Sequence, residues 1–136
     1  MKYEVKREMM LRVWYETVQY YSDPKRRGIG ADGGCRYHID EWSGEPAKMC
    51  AVGRCMHDPA RVTRDYPYAI VGIHDELEEQ FDNLFKVEYK GLPIEFWMEL
   101  QNWHDNCSNW DKGGLTPVGE ARASMLKLKI ETGGFA

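Results

Sequence analysis

The apolar positions of the chain fall into four helix-length groups. Met10, Val13, Trp14, Thr17 and Tyr21 recur at spacings of three and four, which predicts a first helix over Val5 to Tyr21 with one apolar and aromatic face. Asp23-Pro24 stops it, because proline disfavours helical geometry in the residue before it. Ile73, Leu77, Phe81, Leu84 and Phe85 mark a second amphipathic helix, with Asp75, Glu76, Glu78, Glu79 and Asp82 as a solvated outer face. A third helix opens at Pro93, a favourable first-turn position. Glu95, Glu99, Asn102 and Asn106 form a narrow polar stripe along it, so that Ile94, Phe96, Trp97, Met98, Leu100 and Trp103 wrap most of the cylinder and predict the central core element. Thr116 caps a last helix with Pro117 in its first turn. Its inner face is expected at Val118, Ala121, Met125 and Leu128, and Gly133-Gly134 ends it.

Between the first two helices the pattern shortens. Cys35 to Ile39 and Met49 to Val52 have the content of short strands, and Asp40 to Pro46 is turn chemistry, which predicts a hairpin with a loose loop. Asp58-Pro59 and Tyr66-Pro67 read as punctuation of a linker. The expectation is a single globular domain over residues 1–136, α+β and mostly helical, with about four principal helices around a short antiparallel β-hairpin. There is no internal repeat and no low-complexity segment.

At 136 residues, with 43% hydrophobic and 29% charged, the chain buries enough surface to fold without disulfides or metal. No apolar run reaches membrane-spanning length, and Lys2, Glu4, Lys6, Arg7 and Glu8 interrupt any secretory core, so a cytoplasmic location is expected. There the four cysteines are reduced thiols and the Asn106-Cys107-Ser108 sequon goes unused. The net charge of −4 conceals an asymmetry: residues 65–111 carry −9, whereas the three flanking segments are each slightly basic. A pI of about 5.6 argues against a duplex-DNA binder and leaves room for a local basic pocket.

The densest chemistry lies from Arg26 to Met56. Gly28-Ile29-Gly30-Ala31-Asp32-Gly33 matches G-x-G-x-x-G, but Lys25-Arg26-Arg27 precedes it and a strand-like segment follows, so it is no dinucleotide fingerprint. It reads either as a loop whose amides hold a phosphate beside Arg26 and Arg27, or as a plain turn. Cys35, His38, Cys50 and Cys55 are four soft ligands adequate for zinc, yet the i, i+3 and i, i+5 spacings point to opposite faces of a strand. Cys35 and Cys50 are therefore expected as buried small hydrophobes, with no metal and no cofactor. His104, Asp105, Cys107 and Asp111 bring catalytic residue types together at what reads as a frayed helix end, without a recognisable oxyanion hole. His57-Asp58 and His74-Asp75 read as helix-end charges. No nucleophile elbow, Walker loop or H-E-x-x-H pattern occurs, and no enzyme activity is expected.

Tyr20-Tyr21-Ser22-Asp23-Pro24, Arg26-Arg27, Gly34-Cys35-Arg36-Tyr37, Cys50-Ala51-Val52-Gly53-Arg54, Glu88 to Pro93, Leu100 to Asp105 and Asn109-Trp110-Asp111 through Gly114-Leu115-Thr116 form an ordered series over most of the chain. This series resembles a family of small tailed-phage proteins without an assigned activity. Cys55 and Cys107 depart from the family pattern, which weakens both a four-ligand metal site and a Cys107 nucleophile. The resemblance implies action on host machinery. By analogy it points to the anti-CBASS and anti-Thoeris type of nucleotide sponge, which sequesters cyclic oligonucleotides or cyclic ADP-ribose signals as a homo-oligomer.

Such a ligand needs arginines for phosphates and aromatic faces for bases, and Arg26, Arg27, Arg36, Tyr37, Trp42 and Arg54 supply both. The alternative use of these arginines is pairing with Asp23, Asp32, Asp40 or the acidic helix. The expected partners are a small phosphorylated nucleotide signal and the chain itself as a homodimer or tetramer, with no DNA and no membrane. A second functional expectation is an inhibitor that engages a host protein through the acidic 65–111 segment.

Overall fold

A computed structural model describes residues 2–23, 26–27, 49–66 and 69–136. Among them are five α-helices: α1 (Tyr3–Tyr20), α2 (Pro59–Asp65), α3 (Ile70–Leu77), α4 (Ile94–Asp105) and α5 (Pro117–Glu131). Strands β1 (Trp110–Asp111) and β2 (Gly114–Leu115) form an antiparallel hairpin, pairing Trp110 with Leu115 and Asp111 with Gly114. The class is α+β and mostly helical, and no described helix is long and apolar enough to cross a membrane.

The core forms on α4. Phe96, Trp97, Leu100, Trp103 and His104 are all buried along it, and Trp97 stacks on Phe85 at 4.6 Å. Burying several large aromatics is the main source of stability in a domain of this size. α1 contributes Met10, Val13 and Thr17, followed by Tyr21, all essentially inaccessible, as its spacing predicts. The Trp14 indole donates to the Ala123 carbonyl at 2.9 Å and the Tyr3 hydroxyl to the Ile130 carbonyl at 2.8 Å, which locks α1 against α5.

Those contacts also set the rotation of α5 and correct its expected inner face. Gly119, Ala123, Leu126 and Ile130 are buried, whereas Val118, Ala121, Met125 and Leu128 face outward, Met125 at 69% exposure. The sequence offers two apolar stripes on this helix, and hydrogen bonds from α1 choose between them.

Three further expectations are corrected. The hairpin is at Trp110–Leu115, where the strands are too short to show alternation; Met49 forms only an isolated bridge to Arg27, and residues 51–55 continue as a turn and a short 3₁₀ helix. The other proposed strand, Cys35 to Ile39, lies outside the described residues. The supposed linker contains α2, because Asp58 accepts from the Arg61 amide at 3.3 Å and Pro59 occupies the first helical position: these are helix-start signals as much as loop signals. The second amphipathic helix ends at Leu77 and continues as 3₁₀ turns over Glu78–Leu84.

That break has a specific location. Glu78 adopts φ 48°, ψ −116°, a conformation that L side chains rarely hold and that costs about 1–3 kcal/mol. Glu78→Gly is expected to raise stability by about 1 kcal/mol in denaturant unfolding, since glycine enters this region freely and loses some of the gain to unfolded-chain entropy. Gly119 behaves oppositely. A Cβ there would be driven into the Asn109 backbone carbonyl. Gly119→Ala is expected to destabilise by about 1–3 kcal/mol in the same measurement, although alanine is the better helix former by about 1 kcal/mol.

Candidate functional site

Of the six residues proposed to bind a ligand, Arg36, Tyr37 and Trp42 lie outside the described residues. The structure brings together Arg26 and Arg54 and sends Arg27 elsewhere. Both Arg26 and Arg54 lie over the ring of Tyr20, with guanidinium carbons 4.9 and 5.9 Å from its centroid. Tyr20 ends α1, and the turn after it returns Arg26 onto the ring; Arg54 reaches the same ring from the 3₁₀ helix Gly53–Cys55.

Arg54 is half-buried and is the better held of the two. Its Nη2 donates to the Thr17 hydroxyl at 3.2 Å, and its guanidinium also lies 5.9 Å from the centroid of Tyr89. Its Nε is shielded from solvent and has no hydrogen-bond acceptor. Tyr89 in turn donates to Glu16 at 3.1 Å, and Glu16 is 3.7 Å from Arg12. Burial alone would lower the Arg54 pKa, but Cys55, Tyr89, which also hydrogen-bonds the guanidinium, and Glu16 together raise it above the usual value, so the group stays cationic. No carboxylate among the described residues is ion-paired with Arg26, Arg27 or Arg54.

Arg27 is committed to the end of α4. Its Nε and Nη2 both donate to the His104 carbonyl, at 3.1 and 2.6 Å, and its guanidinium lies 4.8 Å from the centroid of Trp110. Burial lowers its pKa, opposed by Asp105, Cys107 and Tyr21.

Cys50 and Cys55 are fully buried free thiols. Cys50 Sγ accepts from the Gly53 amide and Cys55 Sγ donates to the Ala51 carbonyl, and burial pushes the Cys55 thiol up to about 12. Among the described residues no three His, Cys, Asp or Glu side chains gather as a metal site. Cys35 and His38 are outside the described residues.

The end of α4 is not frayed. His104 is completely buried, and its Nδ1 is 2.7 Å from Asp105 Oδ1, which also accepts from Gln101 at 2.7 Å. Because a carboxylate oxygen accepts, Nδ1 carries the proton and Nε2 is left bare and unpartnered. Cys107 is exposed, so these near neighbours in sequence face different environments. In the acidic segment Asp75, Glu76, Glu78 and Glu79 are exposed, and Asp82 is half-buried, accepting from the Gly91 amide at 3.3 Å.

The sequence reading missed Tyr20, Tyr89 and Glu16, the groups that surround Arg54. The available signal was the helical spacing on α1: Glu16 and Tyr20 are one turn apart, next to the Thr17 that Arg54 contacts. No family model, curated protein or solved structure matches the chain.

His104 yields a pH prediction. Burial depresses its pKa below the usual 6.5, helped by Arg27 and only partly opposed by Asp105. Between the folded value and 6.5 the unfolded chain binds the proton more readily, so the stabilising contribution is present above about 6.5 and is lost as pH falls through that interval. His104→Asn, which retains a donor toward Asp105, is expected to show a shallower acid-side loss of Tm than the parent. Superimposable pH profiles would remove this role.

Proposed function

We propose that the chain is a non-enzymatic phage protein that sequesters a small phosphorylated immune signal, of the cyclic oligonucleotide or cyclic ADP-ribose type, in the cytoplasm of the infected host. It acts as a homodimer or tetramer and needs no cofactor. The observation that carries this reading is the pair Arg26 and Arg54 on one tyrosine ring, with the Arg54 Nε lacking an acceptor. Guanidinium groups beside aromatic faces are the chemistry that phosphates and bases require. Arg36, Tyr37 and Trp42 belong to the same proposal through their residue types and sequence proximity. Arg27 serves it indirectly, by fixing the chain next to Arg26.

A second reading, inhibition of a basic host protein by the acidic segment, is favoured by one observation. Glu76, Glu78 and Glu79 are exposed, no described cation pairs with them, and Glu78 holds a costly backbone conformation.

Calorimetry against cyclic di- and trinucleotides and cyclic ADP-ribose isomers, with mass spectrometry of material released from heated protein, tests the first reading. A charge-assisted contact is worth about 1.5–3 kcal/mol, so Arg26→Ala and Arg54→Ala are each expected to weaken binding at least about tenfold. Arg54→Lys should fail to restore it, because an ammonium cannot reproduce the planar donor set. No binding across the panel and no co-purifying nucleotide would sink the sponge. Loss of activity on reversing Glu76, Glu78 and Glu79 to lysine, with Arg26→Ala neutral, would establish the acidic reading instead.

A further inference from the structure

Three of the large apolar side chains exposed on the described surface stand in one row on α5. Val118, Met125 and Leu128 are 48%, 69% and 60% exposed, and Ala121 in the same row is exposed as well. At 3.6 residues per turn the four span an arc of about 80°. Their spacing of three, four and three is that of the a and d positions in a two-helix seam. A stripe this narrow and regular suits another helix better than a flat surface. Gly119, Ala123, Leu126 and Ile130 point the other way, into the core, so the row is left over when α5 has packed.

The row is symmetric about Ala123. Ala121 and Met125 lie two residues either side of it, and Val118 and Leu128 lie five. Against an antiparallel copy related by a two-fold axis at that level, every a position meets a d position: Met125 meets the partner's Ala121, and Val118 meets the partner's Leu128. The two central layers then each set a long side chain against a short one, as close packing requires. A parallel copy would set alanine against alanine and methionine against methionine, one layer empty and the next crowded.

The edges of the row permit this approach. Arg122 and Lys129 flank one side, but Arg122 Nη1 donates to Ser108 Oγ and Asn109 Oδ1, and Lys129 Nζ donates to Glu99 Oε1, each at 2.9 Å. Both cations are thereby held on their own chain. Ser124 flanks the other side, and Glu120 and Glu131 beyond it disfavour an anionic lipid surface.

We propose that this face of α5 is the contact between two copies of the chain, packed antiparallel through Val118, Ala121, Met125 and Leu128. The inference deepens the proposed function by naming the surface of its homo-oligomer, and rests on that reading for self-association alone. Four side chains from each copy make a contact below the standard size of stable interfaces, so the dimer is a reversible one.

Sedimentation equilibrium of the intact chain, without added nucleotide, tests the contact. The parent is expected to move from the mass of one chain toward that of two as its concentration rises through about 10–500 µM, the range of a weak interface. Met125→Glu puts a charge in the seam and should weaken the dimer at least about tenfold, whereas Val87→Glu, on an exposed side chain away from α5, should leave it unchanged. Met125→Ala and Ala121→Met should each weaken it, and the two together should restore it, because the exchange returns one long and one short side chain to each layer. Every variant should keep the parent's far-ultraviolet spectrum, since the substituted positions lie outside the core. A parent that stays monomeric at about 500 µM, or a dimer indifferent to Met125→Glu, overturns the assignment. So does a dimer tightened by Ala121→Met, the mark of a parallel pair. Nucleotide binding by a monomeric parent would remove this contact and leave the sponge, and a dimer with the expected dependence but no nucleotide binding would do the reverse.

Discussion

The end of α4 is buried, and the last carbonyls of a helix have no partner within it. Burial without other donors would cost free energy at each one, so the surrounding chain is organised to supply them. The Trp103 carbonyl accepts from the Asn109 side chain at 2.8 Å. The His104 carbonyl accepts from the Trp110 indole at 3.0 Å and from two nitrogens of Arg27. Asn109 then offers its own carbonyl to the Thr116 amide, and Thr116 caps α5 by accepting from the Gly119 amide. One requirement, satisfying a buried helix terminus, thereby fixes the hairpin, the start of α5 and the path of the chain at Arg27.

That requirement explains what the sequence reading could and could not see. Helix α4 and the Thr116-Pro117 start of α5 were legible because capping and periodicity are local properties of the residues that display them. The rotation of α5 was not, since Val118, Met125 and Leu128 are as apolar as Leu126 and Ile130, and the stripes are distinguished by tertiary contacts: donors on α1, the Trp103 indole on the Gly119 carbonyl and the close approach of Gly119 to Asn109. Asp58-Pro59 was read as a breaker although an acid before a proline also starts helices, and the outcome depends on Val62 finding a buried place. The frayed end expected at His104 is the clearest miss: His104 is buried and its carbonyl takes two bonds from Arg27, 77 positions away, although Asn106, Cys107 and Ser108 just beyond it are exposed.

Arginine clustering was legible and arginine use was not. Arg26, Arg27 and Arg54 are similar in sequence context, but tertiary contacts divide them. Arg27 is spent on a carbonyl that it shares with the Trp110 indole, a structural duty for which a forked donor is better suited than a lysine. Arg54 has one nitrogen on Thr17 and one unsatisfied, beside tyrosine faces that attract the cation without neutralising it.

The immediate surroundings of Arg54 constrain any ligand it receives. Glu16 is the nearby carboxylate that helps hold the guanidinium charged, and it is itself shared by Tyr89 and Arg12. A phosphate bound there as proposed would meet a cation whose field is already partly offset, and its attraction would come from short hydrogen bonds more than from net charge. Arg26 changes that balance, because it adds a second cation on Tyr20 with no described carboxylate paired to it. On the proposed reading, geometry at Tyr20, where the two guanidinium groups converge, would matter more to anion recognition than the overall charge of −4. The same reasoning places the acidic segment outside the question, since Glu76, Glu78 and Glu79 are exposed and screened by solvent and salt, whereas the Arg54 contacts are partly shielded from both.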